Sequence, residues 1–215
     1  LIMPLIPLVF FSFSKGWVFP LLLPKYWSLN AWNYALSDTA GILESLWLTI
    51  FISLSVTILS ILLGVPAGRA LGIYKFKGKV FIELIILAPI IIPSIAVVLG
   101  IHSVFISIGL TNTIFGVILV HLIPTVPYMT LVMSAIFSNF DADFEYQARS
   151  LGASSLKAFY YITLPAILPG VVIGGLFAFL VSWSQYILTL VIGGGKILTL
   201  PLLLFSFATS GRNDI

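Results

Sequence analysis

Charged side chains are missing from long stretches of this chain, and the lengths of those stretches predict its elements. A helix crossing a bilayer core about 30 Å thick takes ~20 consecutive apolar residues. Ser45 to Gly68 carries no charge and has room for one span, Leu84 to Phe140 for two, and Ala158 to Gly195 for one span plus a loop. The pattern predicts helices over 1–13, 43–68, 80–107, 113–137 and 170–192. A shorter apolar stretch, Leu198 to Ala208, holds Pro201 and reads as a re-entrant or interfacial piece. Barrel strands would alternate apolar and polar residues in segments of ~10, whereas Phe81-Ile82 through Val97-Val98-Leu99 is apolar on every face. The expected fold is an all-α integral membrane protein, a multi-span helical bundle forming one domain over 1–215. The chain opens on Leu without a basic run and closes on the polar Arg212 to Ile215. The expectation is therefore a start inside a first helix and a stop short of a last one.

Composition narrows the function. Hydrophobic residues make up 60% and charged residues 8% of 215, against roughly a quarter charged in a soluble domain. Too few groups remain for water to solvate a folded surface, which excludes a soluble enzyme, a disordered chain and a nucleic-acid-binding module. The net charge of +3 comes from ten basic residues spread too thinly to form a basic stripe. With no cysteine there is no disulfide framework, zinc cluster or thiol catalysis. No phosphate-binding loop, HExxH or GxSxG is present, and none of the seven acidic residues sits mid-span. If this protein drives anything uphill, the energy enters elsewhere.

The basic residues set the topology. Arg69, Lys75, Lys77 and Lys79 crowd the loop between the second and third predicted helices; Arg149 and Lys157 lie between the fourth and fifth. An even number of crossings separates these loops, so both are cytoplasmic. The loop from Ser14 to Ile42 falls outside and carries Trp17, Tyr26, Trp27, Trp32 and Tyr34. It reads either as a segment lying at headgroup level or as a docking surface for an external partner.

Several positions within the spans carry two readings. Gly64, Gly68 and Gly72, like Gly170 and Gly174, recur every four residues and admit a close backbone, in fixed packing or in a moving contact. Pro89 and Pro93, and Pro124 and Pro127, remove backbone donors and are expected to kink their helices. His102 and His121 have no carboxylate near them in their helices, so hydrogen-bonded histidines are favoured over a proton relay or a metal site. Ser182, Trp183, Ser184, Gln185 and Tyr186 are costly to place in lipid, so some of them face protein or a water-filled path.

The most informative stretch is the loop over 138–169. Asp141 and Asp143 suit the positive end of a helix, Gly152 offers its C-terminal turn, and Ser154 or Ser155 can cap the next helix. The pattern predicts a short cytoplasmic helix, a glycine turn, a second amphipathic helix with Leu156, Phe159 and Tyr160, and a bend at Pro165. This loop resembles the EAA loop of permease subunits of binding-protein-dependent ABC importers: EAA, three residues, Gly, nine residues, Ile, any residue, Leu-Pro. Gly152, Ile162, Leu164 and Pro165 fall at that spacing, and Ala148-Arg149-x-Leu151-Gly152-Ala153-Ser154 matches the common local form. Aligned on Gly152, the motif glutamate falls on Tyr146 and its first alanine on Gln147, with Glu145 one place early. Gly64-Val-Pro-Ala-Gly68, Ala88 to Pro93 and Thr199-Leu-Pro201 are similar to the polyamine, thiamine and ferric-ion branch of type I importers.

The resemblance implies a permease of about six helices in a bacterial inner membrane. Its partners would be a second permease, two ATPase subunits that bind the ATP and Mg, and an external solute-binding protein. Glu145, Tyr146, Ala148, Arg149, Leu151, Gly152, Ala153 and Ser154 would form the coupling helix against the ATPase. Ser182, Trp183, Gln185 and Tyr186 are the candidates for the translocation pathway. A polyamine is the leading substrate on overall pattern, although Ser184 and Gln185 stand where polyamine permeases often carry acids; thiamine, ferric iron or another small solute are alternatives. An ion-coupled secondary transporter would need ion-coordinating groups at the membrane midplane, and the uncharged run from Leu84 to Phe140 argues against it.

Overall fold

The computed structural model describes residues 3, 5–17, 21 and 23–210. The polar end from Arg212 to Ile215 and the opening positions of the 1–13 helix lie outside them. The first apolar stretch forms α1 (Leu5–Ser12), and the aromatic loop contains α2 (Asn30–Ala35) and a single 3-10 turn (Asp38–Ala40). A long α3 (Ile42–Ile73) runs five residues past the expected end at Gly68, because Arg69-Ala70-Leu71 are good helix formers and one charge does not stop a helix.

The helix expected over 80–107 is instead two, α4 (Lys79–Ile91) and α5 (Ser94–Ser107), bent by 102°. Pro93 pushes Ile92 out of the helical region, to φ −77° and ψ 133°, and its ring nitrogen has no proton to continue the ladder. Then follow α6 (Ile114–Ser138), close to the expected 113–137, and α7 (Asp143–Ser150). The second helix of the loop is not separate from the membrane span. Here α8 (Ser155–Ala158), a π-helical turn (Phe159–Thr163) and α9 (Leu164–Ser184) form one helical run, Ser155–Ser184. Pro165 makes no break in this run; it stands just after the π-helical turn. The span expected over 170–192 therefore begins earlier, and it stops at Ser184; the chain restarts as α10 (Ile187–Gly193) and ends in α11 (Leu200–Thr209). Among the described residues three helices are long and apolar enough to cross a membrane, or four if the bent pair counts as one span.

Two compact units divide the chain, residues 1–49 with 198–215, and residues 50–197. In the first, the aromatic loop closes at an antiparallel bridge between Ser14 and Trp27, with Ser28 N–H donating to Phe13 O at 2.8 Å. Trp27 meets Phe10 edge-on and Trp32 stacks on Phe13. The Leu198–Ala208 stretch is helical over most of its length, and its first N–H, from Leu200, donates to Thr49 Oγ1 at 2.8 Å. That side chain satisfies a donor that a helix start leaves free.

The second unit is organised around α6. Gly64, Gly68 and Gly72 of α3 lie on Met129, Met133 and Phe137 of α6 in step, so the two helices run parallel with backbones close together. On another face Gly170 and Gly174 of α9 meet Ile136 and Met129 in the opposite order, an antiparallel contact. Met129, Met133, Phe137 and Ile167 are buried between these helices. Both glycine stripes thus occupy close helix contacts, the feature that their two expected readings share. Parallel α3 and α6 also bring the two basic loops to one end of the unit, as the charge pattern requires. Leu62, Leu63, Val172 and Leu176 remain exposed, an apolar surface that fits lipid rather than water.

Candidate functional site

At the common end of α3 and α6 the chain leaves the bundle and builds α7 from local chemistry. Asp141 Oδ1 accepts the Asp143 N–H at 2.9 Å, Asp143 and Glu145 occupy the first turn, and Arg149 the last, all matching the helix dipole. The C-terminus is a Schellman turn: Ala153 N–H donates to Ala148 O and Gly152 N–H to Arg149 O, each at 3.0 Å. Gly152 sits at φ +90°, where other residues are strained. Ser154 Oγ then accepts the Lys157 N–H and caps α8.

The expected coupling residues separate by direction. Tyr146, Arg149, Leu151, Gly152 and Ser154 are exposed, Leu151 at 90%, while Ala148 and Ala153 are half-buried. Tyr146, Arg149, Ser150, Ala153, Ser154 and Ser155 line an open groove of about 800 Å³. Glu145 turns the other way. Its carboxylate accepts both guanidinium nitrogens of Arg69, at 3.0 and 2.7 Å, and the Thr163 hydroxyl. Burial pushes this carboxyl up, but the hydrogen bonds from Arg69 and Thr163 outweigh it and hold the group below the usual carboxylate range. Arg69 also lies over the Phe137 ring, 5.7 Å from its centroid. In the sequence Arg69 marks only the orientation of the chain, and Thr163 carries no signal of its own. The available signal was a charge within the last turns of an apolar helix, which needs a partner.

The expected pathway residues surround the break after α9. Gln185 is extended, at φ −75° and ψ 106°, and separates α9 from α10. His121 of α6 bridges that break, with Nδ1 3.0 Å from Ser182 Oγ and Nε2 3.0 Å from Thr189 Oγ1. Thr189 gives its proton to Gln185 O, so His121 Nε2–H donates to Thr189 and Nδ1 accepts from Ser182. Thr125 likewise donates to the His121 carbonyl, which leaves Ser60 to donate to Thr125. His121 is therefore a hydrogen-bonded histidine, and Ser182 is buried as its partner. Trp183, Gln185 and Tyr186 are half-buried at the break, with Trp183 tilted against Phe179. His102, on α5, is also half-buried. Replacing His121 with alanine leaves two buried hydroxyls short of a partner. The expected cost is about 1–2 kcal/mol, read as a lower unfolding temperature of the purified protein, with Ser60→Ala costing less.

Comparison with known proteins agrees with this architecture. A family model described as "Binding-protein-dependent transport system inner membrane component" matches residues 60–210. The molybdate/tungstate transport system permease protein WtpB of Pyrococcus furiosus is 31% identical over 170 residues, covering 79% of this chain and 66% of that protein. The putrescine transport system permease protein PotI of Escherichia coli is 27% identical over 219 residues, covering 98% of this chain and 76% of that protein. Among solved structures, a bacterial ABC transporter involved in the import of the acidic polysaccharide alginate superposes with a TM-score of 0.76 at 23% identity. That match covers 100% of this chain and 77% of the other, and shows the shared fold. With a helical, lipid-compatible bundle, a helix projecting from one end and a family match over most of its length, the chain belongs to the inner membrane components of binding-protein-dependent transport systems.

Proposed function

We propose that this chain is one of two permease subunits of an ATP-driven importer in a bacterial inner membrane. Two ATPase subunits bind on the inside, one of them seating α7 and its glycine turn, and a solute-binding protein delivers cargo from the outside. Tyr146, Ala148, Arg149, Leu151, Gly152, Ala153 and Ser154 form the docking face, with Glu145 behind it. Alternating access follows when closure of the ATPase pair, driven by the ATP and Mg those subunits bind, displaces α7. The observation that carries the reading is α7 itself. It is an eight-residue helix held out beyond the spans by a Schellman turn, with its exposed side on an open groove. A helix so short is unstable alone, and a bundle that presents one offers it to a partner.

Trp183, Gln185 and Tyr186 contribute this subunit's part of the pathway, where the chain unwinds after α9, with Ser182 behind them on His121. Non-helical backbone within a membrane fits protein interiors and water-lined cavities, not lipid. The cargo is a small solute, with a polyamine such as putrescine or spermidine first. The near full-length match to a putrescine permease supports this choice, and the match to a molybdate/tungstate permease makes an oxyanion the comparison to run. The assembled complex in proteoliposomes, given its binding protein with putrescine, spermidine, molybdate, thiamine or ferric iron in turn, tests both levels. Stimulation of ATP hydrolysis by putrescine or spermidine is the expected result. Stimulation by another solute alone reassigns the cargo, and a chain that carries no ATPase through purification overturns the whole reading.

A further inference from the structure

Resting on the docking reading above, we propose that Arg69, Glu145 and Thr163 form a clasp that fixes α7 to two spans at once. A displacement imposed on α7 is then passed to α3 and α9 together. Arg69 belongs to the last turns of α3, Glu145 to α7, and Thr163 closes the π-helical turn from which α9 rises.

The clasp is built for direction as well as strength. Both carboxylate oxygens of Glu145 are engaged by the two ends of one guanidinium, a geometry that a lysine at Arg69 does not reproduce. The ring of Phe137 supports the guanidinium from α6, so the donor is oriented before it meets the acceptor. Thr163 is fully buried, the Glu145 side chain is 14% exposed and that of Arg69 30%, so the carboxylate end of the pair is the part shielded from solvent and salt. No residue of α7 is fully buried. Apolar packing therefore contributes little to holding this helix, and the clasp is its principal attachment. A π-turn frequently marks a functional site; here it ends on the residue that receives α7. Glu145 is a positioning residue in this arrangement, since its oxygens are already occupied and the outward face of α7 is left to Tyr146 and Arg149.

Hydrogen exchange measured on the importer, purified intact through a tag on this chain, tests the clasp with and without ATP–vanadate. In the wild type, trapping the nucleotide is expected to change exchange in α7 and also in residues 64–73 and 159–170. In Glu145→Gln, ATPase subunits stay bound, α7 amides exchange about tenfold faster, and the nucleotide effect stops at α7. Thr163→Val gives a milder form of this and Thr163→Ser restores the wild-type pattern. Arg69→Glu together with Glu145→Arg restores the protection that either change alone removes. The clasp is overturned if the nucleotide effect still reaches α3 and α9 in Glu145→Gln, or never reaches them in the wild type. It is equally overturned if Glu145→Gln releases the ATPase and the reversed pair does not recover it, which would assign Glu145 to the partner. If the wild-type chain carries no ATPase, the docking reading fails, and the exchange rates of α7 in the chain alone decide the attachment separately.

Discussion

Glutamate at Gly152 is expected to leave ATP hydrolysis running while uptake falls by about tenfold or more. Two effects act together. Gly152 holds φ +90° in the turn that ends α7, and most residues with a Cβ, asparagine and aspartate excepted, are strained there by about 1–2 kcal/mol. The new side chain would also stand on the exposed side of that turn, where a Cβ meets nothing within 4 Å inside the protein. It would therefore meet the docking partner with an unpaired charge. A series separates the two terms. Gly152→Asn, a residue that tolerates the left-handed region, is expected to keep most uptake. Gly152→Ala suffers the strain alone and loses a few-fold, and Gly152→Glu suffers both. Uptake and ATP turnover measured on the same proteoliposomes give the ratio. If all three variants transport like the wild type, α7 is not the lever and a membrane scaffold without coupling becomes the better account.

The turn at Gly152 was legible in the sequence because its causes are local: acids at the front of a helix, glycine at its end, serine at the next cap. The clasp beside it was not. Arg69 and Glu145 are 76 positions apart, and they meet only because α3 continues beyond Gly68 and runs parallel to α6. Proline shows the same limit from the other side. Of the four prolines expected to kink two helices, Pro93 separates α4 from α5 outright, whereas Pro124 and Pro127 leave α6 a single helix from Ile114 to Ser138. Glycine-lined faces of α3 and α9 press on α6 from two sides and hold it as one helix. The bent pair has no such support: α4 buries no residue fully and α5 only Val98, so Pro93 decides the geometry. His121 lies between these cases. Its need for hydrogen-bond partners could be read from its place in an apolar run, but Thr189 could not be identified, because it lies across a helix break the apolar pattern conceals.

The contact that aligns α3 with α6 should also be the least forgiving in the protein. A Cβ at Gly68 would overlap Met133 Cβ and lie 2.9 Å from both the Met133 carbonyl carbon and the Ser134 nitrogen. Backbone atoms cannot rotate away as a flexible side chain does, so the two helices must separate. Separation also loosens the matched contacts at Gly64 and Gly72, one helical turn to either side. Gly68→Ala is therefore expected to destabilise by about 1–3 kcal/mol, even though alanine is the better helix former by roughly 1 kcal/mol. Gly68→Leu should prevent folded protein from accumulating in the membrane. Gly175 is the matched control. Its Cβ would meet Ile61 Cδ1 at 3.5 Å and Thr57 Cγ2 at 3.6 Å, ordinary contacts with side-chain ends. Gly175→Ala should thus be neutral or stabilising, as propensity alone would have it. Unfolding temperatures of the two alanine variants in the same lipid decide the matter. If both rise, glycine matters here only for its helix propensity. If they move oppositely, the close approach of α3 to α6 sets the sign, and with it the register that carries Arg69 to Glu145.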